Sequence, residues 1–578
     1  MTVGDSLARW LRDRKISHVF TLPGGMIAAI LDAIYREGHT ELLTMHHEQS
    51  VAFAVDGYGR FNGYPAVGLS TGGPGATNML TGIASCYLDS VPSLFIAGQV
   101  QSYLMKGNRA VRQFGFQECD IVAMASPVVK AAWRARTGDE AVSMLDEALT
   151  LAISGRPGPV LIELPSDVQS MPVKQPPRSE PPSAEKIEFG DLATVEALLE
   201  QVANAERPLI LVGGGIQAAR AADRFRSFAR HLKVPVVASV MALDVMPSDD
   251  PLRLGMIGMY GNRWVNLATA ECDLILVLGS RLDCGTIGTD VAAWRKGRTI
   301  FQVDCDAGEM KRVKSAHTIV ADLGQFLDAA LPLARRRSFP ERVGWSARLN
   351  ELRRAWPDTE ELAGCPGINP NILMRQISSA SKEAAAYVID AGQHLWWACQ
   401  SILPAEGQRF HPALGLGPCG FSIPAAIGVA ASSRKPVVVI VGDGALQFNI
   451  QEFQTIVRNK LAVKIVVLNN RCHGSVRQLQ EKLFNGRYPS TVSGYDAPDF
   501  ERIAQAYGIP GTTVSEPYEV ERGLGWLWND PERAALLQVM ISPELNVFPN
   551  VPFGSPITTM ESLARPRDVS PVPAYTKN

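Results

Sequence analysis

A turn at Gly442-Asp443-Gly444 is followed, after 24 residues, by the pair Asn469-Asn470. Asp443 offers a carboxylate oxygen, Asn470 an amide oxygen, and the backbone near Cys472 a carbonyl. Hard oxygen donors of this kind suit Mg2+ or Ca2+ bridging phosphate oxygens. The flanking glycines let backbone N–H groups approach those phosphates. A Gly-Asp-Gly by itself is usually just a turn. The paired asparagines behind a second apolar run shift the reading toward a divalent metal holding a diphosphate.

Two strands must deliver these oxygens. The apolar run 437–441 leads into Gly442 as a buried strand, a helical stretch follows, and a second run, 463–468, ends at the asparagines. Similar alternation of helical and short apolar segments marks three blocks. The first, 1–172, opens with an amphipathic helix around 6–14 and a strand at 19–21, and closes with SGRPGPVLIELPSDV at 154–168. Residues 173–186 hold four prolines and read as a linker. The second block, 187–335, carries expected strands at 209–212, 236–240, 274–278 and 299–303. A polar helical connection leads to the third block, 365–555, and a polar, Pro-containing tail, 556–578, reads as loose or as a flap over a ligand. The expected class is α/β, three doubly wound domains with mainly parallel sheets.

Size and composition agree. At 578 residues the chain exceeds what one core supports, and its 46% hydrophobic and 20% charged content is that of an ordinary globular protein. A formal net charge of -2 gives no electrostatic argument for nucleic acid or an anionic membrane. Nine cysteines without a Cys-x-x-Cys pair read as reduced thiols rather than a disulfide or zinc framework. With no 18-residue apolar run and no long apolar core at the N-terminus, no membrane partner is expected and cytoplasmic residence is the default.

The stretch GDGALQFNIQEFQTIVRNKLAVKIVVLNN, continuing RCHGSVRQLQ, resembles the thiamin diphosphate signature of the large subunit of acetohydroxyacid (acetolactate) synthase and its relatives. The resemblance covers about residues 1–555 and implies pyrimidine-binding, central flavin-type and diphosphate-binding domains in that order. It makes thiamin diphosphate and Mg2+ the cofactors, with Asp443, Asn470 and Cys472 on the metal, and Gly442, Gly444, Ala445, His473 and Gly474 around the diphosphate. Gly392, Gln393 and His394 in DAGQHLWWACQ match the family's diphosphate-side segment. In LGLGPCGFSIPAAIG, Gly417 would present its carbonyl to the 4'-amino group, and Cys419 takes a wedge position where Met, Leu or Ile is usual.

Glu48 follows an apolar run at the start of a helix, a place suited to a strand-end site, although the helix dipole also favours a glutamate there. Through the resemblance it would bond the aminopyrimidine ring and promote loss of the thiazolium C2 proton. It lies between TLPGG and STGGPGATN, loops that match the family's pyrimidine-side loops and supply Pro23, Gly24, Thr71, Pro74 and Asn78; Gly72 stands where a serine is common. The central segments imply a structural FAD on Gly214, Gly255, Met256, Arg281, Asp304, Asp306 and Asp322. Asp283-Cys284-Gly285 replaces an Asp-Asp-Arg and so lacks an arginine, while glycine turns of this kind occur in any doubly wound domain.

RQFGFQECDI supplies Phe116 and the second catalytic candidate, Gln117; Lys130 matches a lysine at the substrate entrance. Ser475 and Leu479 replace a methionine and a tryptophan of the acceptor pocket. The resemblance implies an enzyme that decarboxylates pyruvate and transfers the two-carbon unit to a small-molecule carbonyl acceptor, acetolactate synthase-like. Alternatives are a ketosugar or other larger acceptor, a pyruvate decarboxylase or oxidase, and a non-catalytic homologue. It also implies a homodimer or homotetramer with the active site at the subunit interface.

Overall fold

The structure, a computed structural model, describes residues 1–174, 192–314 and 316–561. Most of the expected linker at 173–186, and the tail beyond 561, lie outside the described residues.

In the first domain the strands are β1 (His18–Leu22), β2 (Glu41–Thr44), β3 (Ala66–Ser70), β4 (Ser93–Gln99), β5 (Ala131–Arg134) and β6 (Pro159–Pro165). They form a six-stranded sheet in the order β2-β1-β3-β4-β6-β5. The central domain has β7 (Pro208–Val212), β8 (Val236–Ala238), β9 (Arg253–Met256), β10 (Leu274–Leu278), β11 (Thr299–Asp304) and β12 (His317–Val320), ordered β12-β11-β10-β7-β8-β9. In the third, β13 (Ala386–Ile389), β14 (Arg409–Pro412), β15 (Val437–Gly442), β16 (Val463–Asn469), β17 (Gly511–Val514) and β18 (Ala535–Met540) are ordered β14-β13-β15-β16-β18-β17. Every ladder between these strands is parallel. Helices cover both faces of such sheets, so central strands read as unbroken apolar runs rather than alternations. The sequence VVVIVG of β15, buried at every position, is an instance.

Two expected boundaries move. The strand expected over 236–240 stops at Ala238, where Ser239 N–H bonds the Val212 carbonyl and the chain turns into a short 3-10 helix, Val240–Ala242. The first helix runs Val3–Asp13 rather than 6–14, because Thr2 and Asp5 form a reciprocal capping box at its start.

One helix pair joins the first and third domains. Glu48–Asn62 packs against Ser422–Ser433 so closely that a Cβ on Gly57 would lie 2.1 Å from the Ala425 carbonyl oxygen, and one on Gly428 2.0 Å from that of Ala54. The Phe53 and Phe421 rings meet edge to face beside this contact, at 5.5 Å.

Candidate functional site

In the third domain, register brings the sequence candidates together. β15 pairs with β16 so that Gly442 stands opposite Leu468, which places Asp443 and Asn469-Asn470 beyond adjacent strand ends. β13 lies on the other side of β15, with Ile389 opposite Ile440, and feeds directly into residues 390–394. Parallel α/β sheets bind ligands beyond their carboxyl ends in this manner.

A cavity of about 220 Å3 opens there, lined by 392–394, Cys419, 442–445, Asn470 and 472–475. Every residue expected at the diphosphate end therefore lines it, with Ser475. Gly417 stands outside the wall, with a left-handed φ of 67° in the loop leading to Cys419. Leu479 lies one helical turn beyond Ser475 on the helix Gly474–Leu483 and is 45% exposed.

The cavity wall suits an anionic group held with a metal. Burial pushes the Asp443 carboxyl up to about 6, while Tyr495 OH donates to its Oδ2 at 3.0 Å. A divalent cation would reverse that effect of burial by stabilising the carboxylate. Asn470 Oδ1 accepts the Cys472 N–H at 3.2 Å, which fixes the amide as a local turn and leaves a second lone pair. His394 is buried with Nε2 unpartnered, and burial lowers its pKa to about 3, so it is a neutral ring. Gly442 leaves room for that ring, since a Cβ there would lie 2.9 Å from His394 Nδ1. An orphaned polar atom and a glycine-lined wall fit a diphosphate with its cation.

Two anchors were not singled out in the sequence. Tyr495, on a loop 52 residues beyond Asp443, also tilts against the His473 ring at 4.2 Å. Asp390 is fully buried and accepts from Gly420 N, Ser422 N and Ser422 Oγ at 2.7 to 3.0 Å, so it ties β13 to the loop carrying Gly417 and Cys419. The signal for Asp390 was its place at the head of the segment 390–400.

The first domain repeats the arrangement. β2, β1 and β3 are neighbours, with Thr21 opposite Thr44 and Leu22 opposite Ser70, so the loops carrying Pro23-Gly24, Glu48 and 71–78 leave one edge together. A Cβ on Gly24 would come 2.5 Å from that of Thr71. Glu48 begins its helix, is 7% exposed, and accepts from Asn78 Nδ2 at 2.9 Å through Oε2. Pro74 opens the short helix Pro74–Asn78. No residue of this domain lines the cavity of the third domain.

Phe116 is 83% exposed, and Gln117 beside it has a left-handed φ of 63°. Lys130 is half-buried. Its Nζ donates to the carbonyls of Leu151 and Ser154, closing the helix Gly138–Ile153, whose terminal carbonyls attract a cation.

A second cavity, of about 370 Å3, lies where the central domain meets loops of the other two, and Gly214, Arg281, Asp304 and Asp322 line it. The other residues expected at FAD do not. Gly255 and Met256 sit in β9, where Met256 is packed in an apolar core and its N–H bonds Asn262, and Asp306 pairs with Arg156 at 3.0 Å. Both arginines of the wall are matched by carboxylates, Arg156 by Asp306 and Glu309 and Arg281 by Asp283, while Asp304 and Asp322 add negative charge. That donor set fits a flavin dinucleotide's diphosphate poorly.

Among the described residues no helix is long and apolar enough to cross a membrane, and all nine cysteines are free.

Family profiles match all three parts of the chain. "Thiamine pyrophosphate enzyme, N-terminal TPP binding domain" matches residues 1–124, the corresponding "central domain" 195–330, and the "C-terminal TPP binding domain" 390–539. The acetolactate synthase isozyme 2 large subunit of Escherichia coli (strain K12) is 35% identical over 553 residues, covering 95% of this chain and 98% of that protein. The acetolactate synthase large subunit of Parasynechococcus marenigrum (strain WH8102) is 34% identical, covering 96% of this chain and 90% of its own length. That of Lactococcus lactis subsp. lactis (strain IL1403) is 33% identical, over 94% and 93% respectively.

Proposed function

This chain belongs to the thiamin diphosphate-dependent acetolactate synthase family, and from that premise we propose that it decarboxylates pyruvate and joins the remaining two-carbon unit to an acceptor carbonyl. The observation that carries this reading is the meeting of Asp443 and Asn470 at one cavity with the unpartnered His394 Nε2.

In this reading Asp443 and Asn470, with the Cys472 carbonyl, would hold Mg2+, and the backbone of 442–445 and 472–474 would receive the diphosphate. When bound, thiamin diphosphate supplies the carbanion chemistry that decarboxylation of a 2-keto acid requires. The Asp390-anchored loop brings Gly417 and Cys419 to the pyrimidine end. Glu48, steadied by Asn78, would bond a pyrimidine ring nitrogen of the bound cofactor and hold a proton there. Phe116 and Gln117 face the acceptor. We assign domain limits of 1–172, 187–335 and 365–555, and a homodimer or larger oligomer in which Glu48 of one protomer serves the cavity of its partner. Free thiols accord with a cytoplasmic setting. FAD enters no step; flavin absorbance of the purified protein, before and after titration with FAD, decides whether the central cavity holds it.

The test is pyruvate consumption by the protein supplied with thiamin diphosphate and Mg2+, alone and with a panel of keto acids and ketosugars, products read by mass spectrometry. Acetolactate is the expected product from pyruvate alone. Acetaldehyde or acetyl phosphate as sole product would replace this reading with a decarboxylase or an oxidase. In calorimetry, Asp443→Ala and Asn470→Ala should each weaken cofactor binding and raise the Mg2+ requirement. A larger acceptor is the second reading. It is favoured by Ser475 in the cavity wall and by exposed Leu479, which stand where a methionine and a tryptophan are usual in the family.

A further inference from the structure

The exposed segment 112–121, which carries Phe116 and Gln117, is tied to a side chain buried inside the first sheet. Glu163, in the middle of β6, has no exposed surface. Its Oε1 accepts from Gln99 Nε2 at 2.7 Å, and that same nitrogen donates to the Cys119 carbonyl at 2.7 Å. Its Oε2 accepts from Arg134 Nε, and Arg134 Nη2 reaches Asp120 Oδ1 at 3.1 Å. Two routes thus run from one carboxylate to adjacent residues of the segment. Gln99 is held in turn, since its Oε1 accepts the Val100 N–H at 2.9 Å.

Gln117 supplies the reason such a hold is needed. A left-handed backbone costs a non-glycine residue about 1 kcal/mol or more and persists where the surroundings over-determine it. Upstream, Glu118 closes the segment on itself by accepting from Phe114 N at 2.9 Å and Gly115 N at 3.4 Å. Downstream, only one residue separates Gln117 from Cys119, the first residue held through Glu163. Across from it, the Gln117 carbonyl lies so near Gly73 that a Cβ there would stand 2.6 Å away, in the loop whose Asn78 bonds Glu48. Burial pushes the Glu163 carboxyl up from its ordinary range, while Arg134 and Gln99 draw it back toward the charged form.

We infer that Glu163, acting through Gln99 and Arg134, is the positioning residue that holds Gln117 and Phe116 in place for the acceptor. The functional half of this assignment rests on the carboligase reading above; the structural half does not. Glu163→Gln keeps the shape and an acceptor for Gln99 but turns the other end of the amide toward a guanidinium, leaving Arg134 poorly matched. Asp120→Asn weakens the outer end of the second route alone, because an amide oxygen can still accept from Arg134 but without the carboxylate's charge. An asparagine caps the helix Ile121–Ala125 as an aspartate does, so this variant folds as the parent.

Two measurements on the full chain test the assignment. The first is amide hydrogen exchange over residues 112–121, which needs no activity. Exchange there should be faster by roughly tenfold in Glu163→Gln and less so in Asp120→Asn, with β15 and β16 unchanged. The second, with thiamin diphosphate and Mg2+ bound, is the ratio of acetolactate to acetaldehyde at fixed pyruvate. It should fall by about fivefold or more in Glu163→Gln while the cofactor dissociation constant stays put, a split that general destabilisation would not produce. Unchanged exchange over 112–121 in both variants overturns the assignment, as does acceleration spread evenly over the whole first sheet. An unmoved product ratio, with exchange accelerated, overturns its functional half. If Glu163→Gln does not fold, Asp120→Asn alone decides both. If the wild type makes neither product from pyruvate, the carboligase reading fails, and exchange still decides whether Glu163 holds the segment.

Discussion

Asp390 uses both carboxylate oxygens to hold the loop that brings Gly417 and Cys419 toward the cavity, and burial pushes its pKa from 3.8 to about 6. A folded-state value raised above the unfolded one means that this carboxyl's contribution to stability is fully present below 3.8 and is lost as pH rises through about 6. Urea unfolding of wild type and Asp390→Asn should therefore show the wild type losing about 3 kcal/mol relative to the variant between roughly pH 4 and pH 7. A constant difference across that range would mean that the carboxyl is ionised as easily folded as unfolded. Leu479 makes the matching case for specificity. An indole in its place would fill space beside Ser475, so Leu479→Trp should shift discrimination toward small keto acids by about 1 to 3 kcal/mol, read as the ratio of large-acceptor product to acetolactate. A ratio that does not move would place Leu479 outside the acceptor pocket. The meeting of Asp443 and Asn470 at one cavity was legible because both follow apolar runs in one continuous stretch of sequence. Tyr495 was not, because its partner is 52 residues away and nothing local marks a tyrosine as a carboxylate's neighbour. The two carbonyls that Lys130 meets at a helix end were equally hidden, because they lie 21 and 24 residues away.

At the scale of elements, the buried parallel strands were the most readable feature. The runs 274–278, 437–441 and 463–468 all lie within β10, β15 and β16 as observed, because burial on both faces leaves an uninterrupted apolar signature. The crossing of Glu48–Asn62 with Ser422–Ser433 could not be read, since glycine in a helix by itself suggests only weakness. Here the glycines let two backbones touch. Replacing a helical glycine by alanine ordinarily gains up to about 1 kcal/mol. At Gly428 the sign should reverse, because the added methyl would meet the Ala54 carbonyl at 2.0 Å. Gly428→Ala is expected to cost about 1 to 3 kcal/mol in chemical denaturation. It should also lower activity beyond that loss, since one helix begins at Glu48 and the other follows the loop of Gly417 and Cys419. A variant as stable as wild type would show that the helices have room to separate.

The whole chain separates what the reaction must bring together. Among the described residues the third domain lines its cavity alone, while Glu48, Gln117 and Phe116 belong to the first, and each of these two domains keeps large apolar side chains exposed, Phe114 and Phe116 on one, Leu479 and Phe484 on the other. A second copy of the chain would supply the missing half and cover such surface. This arrangement makes a sharp prediction for mixtures of two inactive variants. Glu48→Gln removes the carboxylate proposed to shift the pyrimidine proton and should slow turnover by about 10² to 10⁴. Asp443→Ala removes a proposed metal ligand from the opposite half. If each site draws Glu48 from one protomer and Asp443 from the other, a mixed dimer has one site carrying both changes and one carrying neither. Random reassortment of equal amounts makes half the dimers mixed, so activity should recover to about a quarter of wild type. If instead one protomer builds its site unaided, every site in the mixture keeps one of the two lesions and no activity returns. Sedimentation must show that the variants exchange subunits, and the recovered rate then measures directly how the active site is divided between chains.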